Sequence, residues 1–331
     1  MHSFFRRVNI PEQREYDGVV FPLTLEPIDP SLATPDALAR FIALHTKEVD
    51  SLVVTHGAVL FRSFKIEWAK DFDAVFKAFG REDLPYIGGA ALRTLVHGSV
   101  FTANESPPDS IIPFHHEMGQ IHHYPQRVMF FCERPATTGG ATPLVRSDVV
   151  YERAHREFPE FVDTIETNMV RSRRIISVED DKKSAQGRGL WSTFQATTKE
   201  EAARNAAFAG VTLEYLSDGN VITTSKVPGA KTYNGKKVFF NSVVAAYTGW
   251  KDARNDPVTA VTFGDGTPLP PAAVHRIRDI MAEEAVVYRW GRGDVFVIDN
   301  NCVLHARQSF TGPRRVLAAL AAFEKKPISK I

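Results

Sequence analysis

The sequence has almost no net charge, little cysteine and no long apolar run. Lys and Arg number 40 and Asp and Glu 39, for a formal net charge of +1, so neither a nucleic acid nor an acidic membrane surface is indicated as a partner. No window approaches the roughly 18 apolar residues of a membrane helix, and the first residues lack the apolar core of a signal peptide. We therefore expect a cytoplasmic protein without a membrane partner. The oligomeric state, a homo-oligomer included, is left open.

The two cysteines, Cys132 and Cys302, both lie in apolar, strand-like segments. Two thiols do not make a disulfide framework, and such positions are typical of buried free cysteines in a reducing compartment. The sequence also lacks a Gly-rich phosphate turn after a strand. This absence argues against a doubly wound parallel sheet.

Short strand-like and helical segments alternate along the 331 residues. Apolar spacing predicts helices at 35–53, 67–79, 148–158 (with Asp148 as N-cap), 161–169, 198–208 and 270–284. Strands are predicted at 58–64, 111–120, 127–132, 237–240, 285–290, 294–298, 301–307 and 315–323. Strands on both sides of a metal-binding motif, with a strand cluster at the C-terminus, favour a mainly β fold with α additions: a double-stranded β-helix (jelly roll) core flanked by helices.

We interpret residues 1–331 as a single domain. Residues 1–35 are rich in proline and polar residues and are predicted to be an irregular N-terminal arm. Residues 84–105 read as a loop. Residues from about 171 to 235 are charged and weakly periodic, which predicts an insertion within the jelly roll and no independent core.

The most informative stretch, residues 111–120, carries His115 and Glu117 in a strand-like segment. Residues i and i+2 of a strand share a face, so this imidazole and carboxylate can point into one cavity while His116 points away. With a histidine from elsewhere they would form the two-histidine, one-carboxylate triad of non-haem Fe(II) sites. A His-x-Glu pair alone is more often part of an ordinary surface strand.

A third ligand is offered by His305, which follows the predicted strand 294–298. A histidine in a C-terminal strand can face an N-terminal strand across a sandwich. A turn-rich link then leads to Arg314 and Arg315, and a hairpin centred near Phe310 would place Arg315 roughly opposite His305. A guanidinium at that place can bind a carboxylate through two parallel hydrogen bonds.

These residues resemble a known family, the Fe(II)/2-oxoglutarate-dependent oxygenases of the taurine dioxygenase (TauD/TfdA) superfamily, and most closely its clavaminate-synthase-like branch. The resemblance extends from about Val54 to the C-terminus. Four motifs occur in the expected order: His115-x-Glu117, Gly139-Gly140-Ala141-Thr142, His305, and Arg314-Arg315.

The resemblance implies Fe(II), with 2-oxoglutarate and O2 as cosubstrates, and names His115, Glu117 and His305 as catalytic metal ligands. It implies that Thr142 and Arg315 hold the distal carboxylate of 2-oxoglutarate, although Arg314 is not eliminated from that role. Related halogenases have a small residue in place of the carboxylate ligand. The presence of Glu117 therefore favours hydroxylation-type chemistry over chlorination.

The reaction implied is oxidative decarboxylation of 2-oxoglutarate to succinate and CO2, coupled to hydroxylation, desaturation or cyclisation of a small polar, amino-acid-like substrate. Two alternatives use the same triad. A Zn(II) hydrolase or isomerase on a jelly roll would act without oxygen and give Arg315 no role. A non-catalytic metal or small-molecule sensor would bind a ligand without turnover.

Several other side chains have plainer interpretations. Thr142 also fits a simple turn, and His122 and His123 precede a proline in a loop, where they would be solvated or support the site. Arg307 is interpreted as structural. The pair Asn104-Glu105 would cap a turn or contact substrate, and Trp250 would pack in a pocket wall.

Overall fold

The computed structural model describes residues 4–103, 105–181 and 187–322, which form a mixed α/β fold with many strands. In chain order the strands are β1 (Phe5–Val8), β2 (Arg14–Tyr16), β3 (Val19–Phe21), β4 (Leu23–Pro27), β5 (Ala58–Phe61), β6 (Leu95–His97), β7 (Val100–Thr102), β8 (Ile112–His115), β9 (Arg127–Arg134), β10 (Thr138–Gly139), β11 (Leu144–Arg146), β12 (Val170–Ile176), β13 (Val211–Tyr215), β14 (Val221–Val227), β15 (Lys231–Tyr233), β16 (Lys236–Val238), β17 (Val261–Phe263), β18 (Val295–Asp299), β19 (Val303–Arg307), β20 (Phe310–Thr311) and β21 (Arg315–Ala321).

The helices, again in chain order, are α1 (Pro35–Leu44), α2 (Thr46–His56), α3 (Ala69–Ala78), α4 (Ser147–Glu157), α5 (Pro159–Thr167), α6 (Leu190–Phe194), α7 (Lys199–Phe208), α8 (Val243–Gly249), α9 (Pro257–Ala260) and α10 (Pro271–Glu284). In the described part of the chain, no helix is both long and apolar enough to cross a membrane.

The largest sheet has eight strands in the order β1-β4-β5-β18-β9-β21-β7-β6. Its central strands are buried on both faces. In β5, for example, Leu60 belongs to one apolar cluster and Val59 and Phe61 belong to another. Helices α1, α2 and α3 cover the second of these faces, with Leu38 of α1 fully buried there. The first face is therefore free to pack against other strands.

A three-stranded sheet, β11-β19-β8, lies over that first face. Leu144 of β11 and Val303 of β19 share an apolar cluster with Phe130 and Phe296 of the large sheet. On the far side of the small sheet, Leu304 packs into a third cluster with residues of α4, α5, α8 and α10. A cavity lies between the two sheets, lined by Phe130 and Val316 of the large sheet and by His115 and His305 of the small one.

Residues 170–263 include a four-stranded sheet in the order β13-β14-β12-β17. Its buried residues Ile176, Val211 and Val221 belong to the same apolar cluster as Phe130 of the large sheet. The described part of the segment predicted to be an insertion therefore packs on the main core. The predicted helix at 198–208 is present as α7.

The prediction of an irregular arm at residues 1–35 is wrong, because β1 and β4 form one edge of the large sheet. Phe5 of β1 packs against Phe41 of α1, with their ring centroids 4.9 Å apart. The strands are only four and five residues long and are separated by Pro11 and Pro22. Such short apolar alternations give little signal in the sequence.

Other boundaries also differ from the predictions. The predicted helix 35–53 is divided at His45 into α1 and α2, and Asp148 lies in the first turn of α4, whose N-cap residue is Arg146. Residues 84–105 contain the hairpin strands β6 and β7. The predicted strand 285–290 makes only an isolated bridge from Val286 to Leu144, and Phe323 lies outside the described residues. The prediction of buried free cysteines is confirmed for both Cys132 and Cys302.

Candidate active site

Three potential metal ligands converge in the cavity between the sheets. One ligand atom from each of His115, Glu117 and His305 lies within 4.8 Å of the others. Their side chains come from two neighbouring strands, because β8 and β19 pair with His115 directly opposite His305. The two imidazole centroids are 4.3 Å apart. His115 and His305, which are 190 positions apart in the chain, are thus neighbours through strand register.

Glu117 reaches the cluster by a route that the sequence did not predict. Strand β8 ends at His115, and a turn follows in which the backbone N–H of Gly119 donates to the carbonyl oxygen of His116. Asn300 fixes this turn. Its Oδ1 accepts from the backbone N–H of Glu117 at 2.8 Å, and its Nδ2 donates to the carbonyl oxygen of Glu117 at 3.0 Å. A rigid turn, and not strand alternation, directs the carboxylate into the cavity.

The protonation states of the cluster suit metal binding. Nδ1 of His115 lies 2.8 Å from the carbonyl oxygen of Pro113, which can only accept, so Nδ1 carries the proton and Nε2 keeps its lone pair. Burial, and next the neighbouring His305, lower the pKa of His115 to about 4. Burial alone would raise the pKa of Glu117, but the guanidinium of Arg93 and the two imidazoles outweigh it and hold that pKa below its usual range.

His116 points away from the cluster, as strand alternation predicted. It is fully buried, and its ring nitrogens lie 2.7 and 3.2 Å from the backbone carbonyl oxygens of Asn300 and Phe239. By contrast, His122 and His123 are exposed. Among the described residues, therefore, the cavity brings together two histidines and one carboxylate.

Arg314, and not Arg315, lies in the cavity. The predicted position of Arg315 beside His305 is wrong: its side chain is 49% exposed and its Nε donates to Glu133 at 3.1 Å. The reason is strand alternation at the start of β21. Arg314 and Val316 both line the cavity, so the residue between them faces the other side.

A glycine turn holds Arg314 in place. Nε of Arg314 donates to the carbonyl oxygen of Gly140 at 2.9 Å. Gly140 has a φ of +69°, and a Cβ atom there would lie 2.9 Å from Cδ of Arg314. Strands β10 and β20 pair Thr138 with Thr311, which brings this turn next to the segment that precedes β21.

Thr142 lies at the same end of the cavity and is 4% exposed. Its Oγ1 accepts from Nε1 of Trp290 at 3.0 Å and from Nη2 of Arg314 at 3.4 Å. Because both contacts use oxygen lone pairs, the hydroxyl hydrogen remains available to a further acceptor. No carboxylate among the described residues pairs with Arg314, and burial lowers its pKa to about 10. A buried cation beside a free hydroxyl donor is suited to a carboxylate ligand.

The cavity has a volume of about 140 Å³. Trp250 forms part of its wall, as expected, and Arg307 also lines it. The Nη atoms of Arg307 donate to the backbone carbonyl oxygens of Ser106, Pro107 and Ser110, which agrees with a structural role. Of the predicted turn pair, Glu105 accepts from the hydroxyl of Thr102, whereas Asn104 lies outside the described residues.

The donor set fits a divalent metal ion. Two imidazoles and one carboxylate supply three ligand atoms, and the open cavity leaves room for further ligands, as in non-haem Fe(II) centres. The buried Nδ1 of His305 has no hydrogen-bond partner among the described residues. Sequence analysis missed Arg93, Asn300 and Trp290, because each acts through a contact with a residue distant in sequence.

Comparisons with known proteins show the family of the chain. Residues 24–320 match the taurine catabolism dioxygenase TauD, TfdA family. A clavaminate synthase-like protein of Arabidopsis thaliana is 47% identical over 318 residues, with 94% of this chain and 96% of that protein covered. The dapdiamide synthesis protein DdaC of Enterobacter agglomerans is 25% identical over 304 residues, covering 87% of this chain and 88% of that protein.

Among solved structures, PvcB, an Fe, alpha-ketoglutarate dependent oxygenase from an isonitrile synthetic pathway, shares the fold. The TM-score is 0.53 at 14% identity, covering 97% of this chain and 92% of that chain. Because the family match covers most of the sequence and a close relative covers nearly all of it, the chain belongs to the TauD, TfdA family of dioxygenases.

Proposed function

We propose that this dioxygenase uses Fe(II), 2-oxoglutarate and O2 to oxidise a C–H bond of a small polar substrate, with His115, Glu117 and His305 as the iron ligands. The observation that carries the proposal is the convergence of these three side chains in one cavity with Arg314 and Thr142. The two groups of residues are suited to different ligands. The triad suits a metal ion, and the arginine with its threonine suits a carboxylate.

We assign the distal carboxylate of 2-oxoglutarate to Arg314 and Thr142, and no longer to Arg315. Arg314 supplies a buried cation, fixed through its Nε at Gly140 and its Nη2 at Thr142. Thr142 supplies a hydroxyl hydrogen, and Trp290 fixes its orientation. The cosubstrate would then extend from this end of the cavity towards the metal ligands.

Bound iron, 2-oxoglutarate and O2 would together supply the oxidant, with one oxygen atom of O2 entering succinate as CO2 is released and the other available to oxidise the substrate. The protein's own residues bind and orient. His115 and His305 would each offer one ring nitrogen, Asn300 holds the backbone of Glu117, and the apolar wall at Phe130 would limit water near the reacting C–H bond. No side chain has to act as a general base.

The two packed sheets with the ligands between them support the proposed jelly-roll core. The alternative of a Zn(II) hydrolase or isomerase uses the same triad but leaves Arg314 and Thr142 unexplained. A buried guanidinium without an acidic partner costs free energy unless an anion binds to it. The position of Arg314 therefore favours the oxygenase.

The proposal is tested by adding Fe(II) and then 2-oxoglutarate to the metal-free protein without oxygen. We expect a visible charge-transfer band from the chelate, and its loss in His115→Ala, Glu117→Ala and His305→Ala. A folded wild-type protein that gives no band would contradict the proposal.

Arg314→Met should weaken 2-oxoglutarate binding by about 10- to 100-fold, since a charged hydrogen-bonded pair is lost. Arg315→Met, at the neighbouring exposed position, is the matched control and should bind 2-oxoglutarate like the wild type. Equal loss in both variants would overturn the assignment of Arg314.

A further inference from the structure

The guanidinium of Arg93 lies in the cavity, and its only role assigned above is to lower the pKa of Glu117. Arg93 lies two residues before β6, and its side chain is 6% exposed. Its Nη2 donates to Oε2 of Glu117 at 2.8 Å, and its Cζ lies 4.2 Å from the ring centroid of Tyr86. These two contacts fix the guanidinium beside the proposed iron ligands.

The remaining donors of Arg93 are unsatisfied. Nε and Nη1 are both buried and have no hydrogen-bond partner among the described residues. Buried donors of a charged group cost free energy when they remain unpaired. Because Tyr86 and Glu117 hold the Arg93 side chain in place, a hydrogen-bond acceptor for these donors has to be supplied by a bound ligand.

The charges in the cavity indicate the kind of acceptor. Three guanidinium groups, those of Arg93, Arg307 and Arg314, line the cavity together with the single carboxylate of Glu117. The two positive charges of bound Fe(II) and the two negative charges of 2-oxoglutarate would cancel each other. An excess of positive charge would remain, and a buried excess favours an anionic substrate over a neutral or cationic one.

Arg93 is the group best placed to bind that anion. Arg314 is assigned to 2-oxoglutarate, and Arg307 uses its Nη atoms on backbone carbonyl oxygens. Arg93 donates through Nη2 to Glu117, while its Nε and Nη1 have no hydrogen-bond partner among the described residues. The second hydrogen of Nη2, together with either Nε or Nη1, forms an edge of the guanidinium that can pair with the two oxygens of a carboxylate.

We propose that Arg93 binds a carboxylate of the substrate, so that the substrates of this enzyme are small carboxylic acids oxidised at a carbon close to that carboxylate. This inference depends on the proposed function. Only Glu117 separates Arg93 from the metal, so a carboxylate on Arg93 brings its nearest carbon atoms towards the iron. Arg93 is thus a specificity-determining residue, contributed by the segment between Gly89 and β6.

The test uses protein loaded with Fe(II) and 2-oxoglutarate in the absence of oxygen. The probes are short-chain monocarboxylic, 2-hydroxy and 2-amino acids of two to six carbons, each paired with its primary amide. Binding is followed through the change each probe causes in the charge-transfer band, and succinate formation is then measured in air. We expect at least one acid to bind at least about 10-fold more tightly than its amide.

The preference for the acid should fall below about threefold in Arg93→Met and be partly restored in Arg93→Lys, which keeps the charge but not the paired donors. Arg315→Met is again the exposed-arginine control and should keep the full preference. The band formed before any probe is added shows whether each variant still holds the metal and 2-oxoglutarate. If Arg93→Met forms no band, the test uses Arg93→Lys instead. A preference for the acid over its amide that is as large in Arg93→Lys as in the wild type then overturns the proposal.

Three results would overturn the role of Arg93 while leaving the proposed function standing: amides that bind as well as acids, a preference that survives in Arg93→Met, or a band that no acid perturbs. If the wild-type protein forms no band at all, both the proposed function and this inference are wrong.

Discussion

At the scale of single residues, the imidazole of His115 is held neutral by its surroundings. Burial and the adjacent His305 lower its pKa to about 4, whereas an unfolded histidine has a pKa of about 6.5. The unfolded chain therefore binds a proton at a higher pH than the folded chain does. Below about pH 6.5 this difference in proton binding lowers the free energy of unfolding, and the decrease due to His115 is complete near pH 4.

We expect the metal-free protein to lose up to about 3 kcal/mol of unfolding free energy through His115 as the pH falls from about 6.5 to about 4. The measurement is urea denaturation, with a chelator present, at several pH values across this range. In His115→Gln, the free energy of unfolding should change correspondingly less with pH. His97→Gln, at an exposed position, is the control. A slope in His115→Gln equal to that of the wild type would contradict the prediction.

The residue scale also shows what the sequence could and could not predict about the site. The motif order predicts His115, Glu117 and His305 as one group, and the structure brings these three side chains together. Arg315 was placed wrongly, since neighbouring residues of a strand face opposite sides and a shift of one position exchanges them. The contacts of Arg93 and Asn300 with Glu117 bring together distant parts of the chain, and nothing in local spacing indicates them.

At the scale of elements, the turn between β10 and β11 positions Arg314, the residue immediately before β21. Gly140 has a left-handed φ, and any side chain there would crowd Cδ of Arg314 and, at 3.0 Å, Cβ of Ala136. Gly140 of the motif is thus a geometric requirement for the proposed 2-oxoglutarate site. Unlike Thr142, it does not need to touch the cosubstrate.

Gly140→Ala is expected to weaken 2-oxoglutarate binding by about 10-fold, equivalent to about 1.4 kcal/mol, because Arg314 is displaced. Gly219→Ala is the matched control, since Gly219 also has a positive φ, of +85°, but has nothing within 4 Å of an added Cβ. Both variants should lose about 1 kcal/mol of stability from backbone strain. Titration of the charge-transfer band with 2-oxoglutarate distinguishes them, and equal affinities would show that crowding at Gly140 is unimportant.

Elements also show where the sequence was a poor guide to the fold. Helices α3, α7 and α10 were predicted within a few residues, because their apolar spacing is regular over ten or more positions. Strands β1, β4, β6 and β7 were missed. Each has three to five residues and is stabilised mainly by its partner strands in the sheet. The local sequence therefore does not predict these strands.

At the scale of the whole molecule, the four-stranded sheet and the large sheet share one apolar cluster. Leu190 of α6, within the predicted insertion, is fully buried in the same cluster as Phe130 and Phe296 of the large sheet. Regions with a common core lose their packing together. We therefore expect one cooperative unfolding transition for the protein.

Leu190→Ala should destabilise the protein by about 3 kcal/mol, as expected for a buried leucine. Hydrogen exchange in urea should show the same shift in midpoint for peptides from β13 and β14 as for peptides from β9 and β21. Leu44→Ala, at a position that is 74% exposed, is the matched control and should change stability by less than about 0.5 kcal/mol. A shift confined to β13 and β14 would show that residues 170–263 unfold as a separate unit.

The contact between Arg93 and Glu117 has a consequence for how such an enzyme can acquire new substrates. Ser106, Ser110 and Ile111 line part of the cavity, so diversification of the loop that carries them can reshape the pocket without replacing a proposed iron ligand. Arg93 is different, because its replacement alters substrate recognition and the charge beside an iron ligand in one step. Variation at Arg93 would therefore have to be accompanied by compensating changes around Glu117. A change of substrate class that requires replacement of Arg93 thus needs several substitutions together.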